Sequence, residues 1–192
     1  MPTPDRLLEL VATLGLSSVI SLALVAPAAR ASARGVETAT CASQSKASFP
    51  HAFSRPEHLA VGPLAFWHLR EIDDATVENL REHDGWKSPA LVRPGHTVTV
   101  SVGRSARSYA RLQYVHVPGR DPSDLRAFPH TVRFKSCSRR RAQSDVDGRP
   151  VTFWSGFVVI RKAACLPLTI RVDRRRPRHR ELSVADAECA SS

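Results

Sequence analysis

His96-Thr97-Val98-Thr99-Val100-Ser101-Val102 alternates polar and apolar side chains without a break. Successive side chains on a strand point to opposite faces. This run therefore puts Val98, Val100 and Val102 on one side and Thr97, Thr99 and Ser101 on the other. That is how a strand reads when one face is buried and the other meets water. Outward from it the same signal recurs. Strand-prone runs lie at Leu59 to Leu69, Ser88 to Val92, Arg111 to Val117, Thr131 to Ser136, Val151 to Ile160, Leu166 to Val172 and Arg180 to Val184, separated by Pro, Gly and charged clusters. Asp73 to His83 has a mild helical signature, with Val77 and Leu80 three apart and an Asp84-Gly85 stop.

Short strands with turn signals between them predict a mainly β chain: an antiparallel β-sandwich of immunoglobulin-like architecture, with about seven strands and at most one short helix. The spacing departs from a true immunoglobulin domain, because Trp154 lies just before Cys165 and not near the first cysteine of a long loop. The expected organisation is an export segment over residues 1–33, a polar irregular segment over 34–56 and one β-sandwich domain over 57–192.

The export reading rests on Leu10 to Ala26, an apolar run closed by Pro27 and followed by the small-x-small site Ala31-Ser32-Ala33. The front is weak, since only Arg6 and two acids precede the run, so an uncleaved N-terminal anchor is the alternative. All four cysteines, Cys41, Cys137, Cys165 and Cys189, lie behind it. An even cysteine count in that position predicts two disulfides and a secreted or cell-surface protein. Three connectivities are open. The expected one joins Cys137 to Cys165 and Cys41 to Cys189, tying the two ends of the mature chain.

The formal charge is +10, which favours anionic partners such as an envelope polymer or lipid. Only four of the 28 basic residues are lysine (Lys46, Lys87, Lys135 and Lys162), a skew that high-GC codon usage also produces. Two basic runs stand out as anion-binding candidates: Arg139, Arg140 and Arg141, then Arg174, Arg175, Arg176, Arg178 and Arg180. No aromatic residue interrupts either run, so base stacking, and with it specific nucleic-acid binding, is not expected.

Catalytic and metal-binding patterns are weak. Ser43-Gln44-Ser45-Lys46 matches a Ser-x-x-Lys acyl-transferase pattern but lies in a polar tail without the companion motifs. Gly103 to Arg107 starts like a nucleophile elbow and lacks its second glycine. Asp145-Val146-Asp147-Gly148 starts like a calcium loop and lacks its later ligands, so a β-turn explains it better. The cysteines and eight histidines show no zinc-ligand spacing. No catalytic residue, metal or cofactor is expected.

Phe134-Lys135-Ser136-Cys137, Thr152-Phe153-Trp154-Ser155-Gly156-Phe157-Val158-Val159, Ala164-Cys165-Leu166-Pro167-Leu168 and the closing Cys189 together resemble a family of small exported actinobacterial proteins of unknown function. The resemblance covers residues 129–189 and its motifs are structural. It implies a secreted or membrane-attached β-domain and carries over no catalytic residue. The functional expectation is a non-catalytic binding or structural role at the cell envelope. The alternatives are a cationic binder of anionic envelope polymers or lipids and, third, an extracellular hydrolase.

Overall fold

The computed structural model describes residues 35–189, so the expected export or anchor segment at 1–33 lies outside the described residues. In chain order the elements are β1 (Val36–Ala39), β2 (Leu59–Val61), β3 (Leu64–Phe66), α1 (Val77–Glu82), β4 (Trp86–Lys87), β5 (Ala90–Val92), β6 (Thr97–Val102) and β7 (Ala110–Gln113). They continue with β8 (Thr131–Lys135), β9 (Ser144–Val146), β10 (Arg149–Trp154), β11 (Phe157–Ile160), β12 (Leu166–Val172) and β13 (Arg178–Leu182). The first sheet has the order β1-β8-β6-β12-β13, the second β2-β3-β5-β10-β9 and the third β4-β11-β7. All pairings are antiparallel except β1 with β8.

The mainly β architecture is the one the alternation predicts, with shorter and more numerous strands than the seven expected. Two expected strands each divide. Gly62, at φ +60°, reverses Leu59–Phe66 into the β2–β3 hairpin. Ser155 and Gly156 break Val151–Ile160 so that β10 stays in the second sheet and β11 enters the third. A Cβ at Gly156 would run into the Tyr114 ring and the Gln113 carbonyl, so this crossing needs glycine. The helical signature is realised as the six residues of α1, where the Thr76 hydroxyl caps the Asn79 amide at 3.1 Å.

In β6 the three valines are fully buried, while Thr97, Thr99 and Ser101 stay partly exposed. Val100 lies opposite Val132 on β8 and Ile170 on β12, which makes the inner face of the first sheet continuous. Phe134 faces the other two sheets. Its ring centroid lies 5.3 Å from Trp154, 5.1 Å from Tyr114 and 6.2 Å from Phe66, the last two edge-on. The polar ends of this cluster are satisfied: Trp154 donates to the Thr40 carbonyl and the Tyr114 hydroxyl to that of Ser88.

The 34–56 segment is less irregular than expected. It supplies β1, then packs Phe49 and Ala52 against Ala65, Leu91 and Phe153 on the outer side of the second sheet. This second apolar cluster makes the second sheet buried on both faces.

The disulfides correct the sequence reading. Cys41 joins Cys137, and Cys165 joins Cys189. Because β1 runs parallel to β8, with Ala39 opposite Phe134, both strands deliver their next cysteine to the same end of the sheet. The other bridge follows from the β12–β13 hairpin. Leu166 pairs with Leu182, so the chain leaving β13 returns beside Cys165.

Buried histidine is expected to make the stability of the fold depend on pH. His58 is 3% exposed, stacks at 4.1 Å on Trp67, and accepts the His68 backbone N–H at its Nδ1 (3.1 Å). Burial lowers its pKa below the usual 6.5. Below that value the unfolded chain takes up the proton first, so His58 stabilises the fold at neutral pH and this contribution is lost as the pH falls from 6.5 through the lowered folded value. Desolvation shifts His130 in the same direction. Denaturation midpoints measured at pH 7 and pH 5 should therefore fall with pH, and His58→Phe should flatten that slope. A slope unchanged in the variant would remove His58 as its source.

Candidate functional site: an arginine-lined cleft

A cleft of about 900 Å³ opens at the end of the sandwich where β6 begins. Four separate pieces of chain build it, and three of them supply its charged residues. The β5–β6 connection, which crosses from the second sheet to the first, brings Arg93, Pro94 and His96. The chain leaving β8 brings Ser138 and Arg139. The β9–β10 hairpin supplies Asp147 and Arg149, with Val146, Pro150 and Val151 as an apolar wall. Phe53 closes the rim, and the Arg93 guanidinium sits 4.5 Å from its ring centroid.

The scaffold around the cleft is well bonded. Asp147 and Gly148, at φ +51° and +73°, make the two-residue hairpin turn. This is the turn reading of the calcium-like motif. The carboxylate of Asp147 accepts the His51 amide at 3.0 Å, and that of Asp145 accepts Gly148 N–H and Ser48 O–H. On the other side Asp173 clasps the start of β6. It accepts Thr97 N–H at 2.9 Å and the His96 Nδ1–H at 3.0 Å. The Thr97 amide, and secondarily the His96 bond, hold the Asp173 carboxyl below the ordinary carboxylate range, so it stays ionised. Ser136 Oγ accepts His96 N–H and donates to the His96 carbonyl, and Gly95 N–H reaches the Cys137 carbonyl. The arginine-bearing loops are thus pinned to the sheet and to the Cys41–Cys137 bridge.

The neighbouring acids are therefore engaged by the scaffold. Arg93, Arg139 and Arg149 are exposed, and none of them makes an ion pair with a described acid. Three guanidiniums without a direct ion pair, against the one carboxylate of Asp147 in the lining, leave the cleft net positive and present a fork-shaped donor set that fits phosphate or carboxylate oxygens.

The eight arginines singled out from sequence are not one surface. Arg139 lines the cleft. Arg140 and Arg141 border a shallow depression beside Cys41 and Gln44, where the Arg141 carbonyl accepts the Gln44 amide. Arg175, Arg176 and Arg178 surround a smaller pocket of about 270 Å³ against Gly62 and Pro63. Arg174 is exposed in the turn that Asp173 opens, and Arg180 lies on the edge strand β13 opposite Leu168. Of the eight, Arg139 alone lines the cleft beside the β5–β6 connection. Sequence reasoning missed Arg93, Arg149 and Phe53. The only local hints were an Arg-Pro-Gly turn and an arginine directly after Asp-Gly.

The weaker motifs find structural roles. Ser43 Oγ caps its own turn, bonding Thr40 on both its amide and its carbonyl. Gly103 opens the short 3₁₀ turn Arg104–Ala106. Among the described residues no group of three or more His, Cys, Asp or Glu is placed to hold a metal. Among them, too, no helix is long and apolar enough to cross a membrane.

No protein-family model, curated protein or solved structure matches the chain.

Proposed function

We propose that this is an extracytoplasmic, non-catalytic binding domain that holds an anionic polymer of the cell envelope at the arginine-lined cleft. The observation that carries the reading is the convergence of Arg93, Arg139 and Arg149 from three loops into one cleft whose nearby acids are already bonded. Two disulfides in a β-rich fold are compatible with an oxidising compartment. The apolar run at residues 10–26 and the resemblance over 129–189 support export. The site offers positioned positive charge; Ser54 and Ser138 also line it, and neither hydroxyl bonds a histidine ring or a carboxylate among the described residues. His96 is oriented by Asp173 as a base would be, but the described structure gives its ring no hydroxyl partner. Asp173 also holds the Thr97 amide, which accounts for the pair as a loop clasp.

The test is binding of poly(glycerol phosphate), a flexible phosphodiester chain, to the wild type and to Arg93→Gln/Arg139→Gln/Arg149→Gln. Charge-assisted hydrogen bonds to an anion support about tenfold in affinity each. The wild type should bind with an affinity that drops steeply with salt, and the variant should lose both the affinity and most of the salt dependence. Salt-insensitive binding, or equal binding by the variant, would sink the reading.

A further inference from the structure

The outer face of the first sheet carries a second cluster of cations, with one acid, Glu181, at its far edge on β13 opposite Pro167. On β6 the polar residues Thr97, Thr99 and Ser101 point away from the core that their valine neighbours fill. Lys135 lies opposite Thr97 in register, and Arg133 and Arg171 lie opposite Thr99 on its two sides. Residues directly opposite on neighbouring strands share a face, so Arg133, Thr99 and Arg171 form one row spanning about 10 Å, and Lys135 stands roughly 7 Å along the strand from Arg133. Hydroxyls fill the spaces, with Thr131 donating to Ser101 and Thr169 beside His179. Arg133, Lys135 and Arg171 are exposed, and none pairs with a described acid. Asp173, the acid beside this corner, is held by His96 and Thr97.

This face covers the outer side of the first sheet, whereas the cleft opens at the end of the sandwich and reaches the outer side of the second sheet. The cleft wall includes Val146 and Val151, which belong to the apolar cluster on the outer side of the second sheet. What joins the two is the β5–β6 connection, with Arg93 and His96 in the cleft and Thr97 already on the face. We infer that one phosphodiester chain enters the cleft, passes over this end of the sandwich at His96, and continues across the Lys135–Arg133–Arg171 face. The inference rests on the binding reading above and extends it to a second, non-cleft contact.

The shape selects the occupant. A planar bilayer meets the flat face or the cleft but cannot follow the path around the end, whereas a flexible linear polymer can. Arg133, Lys135, Arg171 and the hydroxyls between them carry no aromatic ring, and the His179 imidazole at the edge strand is bonded to Thr169. This face supplies cations and hydroxyl donors for charge repeated along a backbone.

The experiment compares a glycerol phosphate trimer with long poly(glycerol phosphate) on the wild type, on Arg133→Ser/Lys135→Ser/Arg171→Ser, and on the cleft triple variant. The face variant should bind the trimer as the wild type does. It should lose about tenfold or more for the long polymer, with a shallower dependence of log affinity on log salt. The cleft variant should lose both ligands. Trimer and polymer losses that are equal in the face variant, or no loss at all, overturn the second contact while leaving the cleft reading intact. Phosphatidylglycerol vesicles bound more tightly than the polymer, with the same dependence on the face residues, would overturn the polymer in favour of a lipid surface. Failure of the wild type to bind either glycerol phosphate ligand would overturn the cleft reading and the inference together.

Discussion

Replacing Cys41 and Cys137 together with serine is expected to cost about 4–5 kcal/mol of unfolding free energy, the larger of the two disulfide losses. The bridge closes a loop of 96 residues, and in the chain-entropy account its effect grows with that length. Removing Cys165 and Cys189, which are 24 apart, should cost about 3–4 kcal/mol on the same account. Denaturant midpoints under non-reducing conditions measure both. Peptide mapping of the single variant Cys41→Ser checks the pairing itself: Cys137 should become the free thiol, and a free Cys189 would contradict the structure. The loss has a functional side. Cys137 is directly followed by Ser138 and Arg139, and its carbonyl anchors Gly95 of the β5–β6 connection. A protein lacking this bridge should therefore bind anions more weakly even where it remains folded.

Phe134→Ala should destabilise the domain by about 3–5 kcal/mol, the usual cost of removing a buried phenylalanine. The size of the effect follows from position. Phe134 is fully buried on β8, and its ring touches the aromatic residues of the other two sheets at once. The cavity would lie where the three sheets meet and neither neighbour could close it without shifting a strand. Thermal or denaturant unfolding measures the loss. A cost below about 1 kcal/mol, the range of ordinary surface substitutions, would mean that the three sheets do not share this core.

The parts of the fold that were legible are those whose signal is local. The β6 alternation, the valines it buries and the hairpin turn at Asp147-Gly148 all follow from a few consecutive residues. The parallel strand β1 carried no such signal. Val36-Glu37-Thr38-Ala39 is a short polar stretch, and its partner β8 lies 95 residues away (Val36 against Thr131). Missing that pairing is what misdirected the disulfide assignment. Without β1 beside β8 nothing places Cys41 near Cys137, and the chain ends are the natural guess.

The candidate site divides in the same way. Arg139 was visible because it belongs to a run of arginines. Arg93 and Arg149 are single arginines in an arginine-rich chain, and only the crossing between sheets and the tight hairpin bring them together. Conversely, the Arg174–Arg180 cluster reads as one basic patch in sequence. In the fold, an edge strand and a turn spread its members over a smaller pocket and open solvent. Of the two arginine runs Arg139 alone lines the cleft, because topology and not charge density along the chain sets which charges face one another.

Titration of the disulfide-bonded domain with poly(glycerol phosphate) at low and moderate salt, beside Arg93→Gln/Arg139→Gln/Arg149→Gln, tests the central claim most directly. The account predicts binding that weakens steeply as salt rises and is largely abolished in the variant. Equal affinity of wild type and variant, or no dependence on salt, would contradict it.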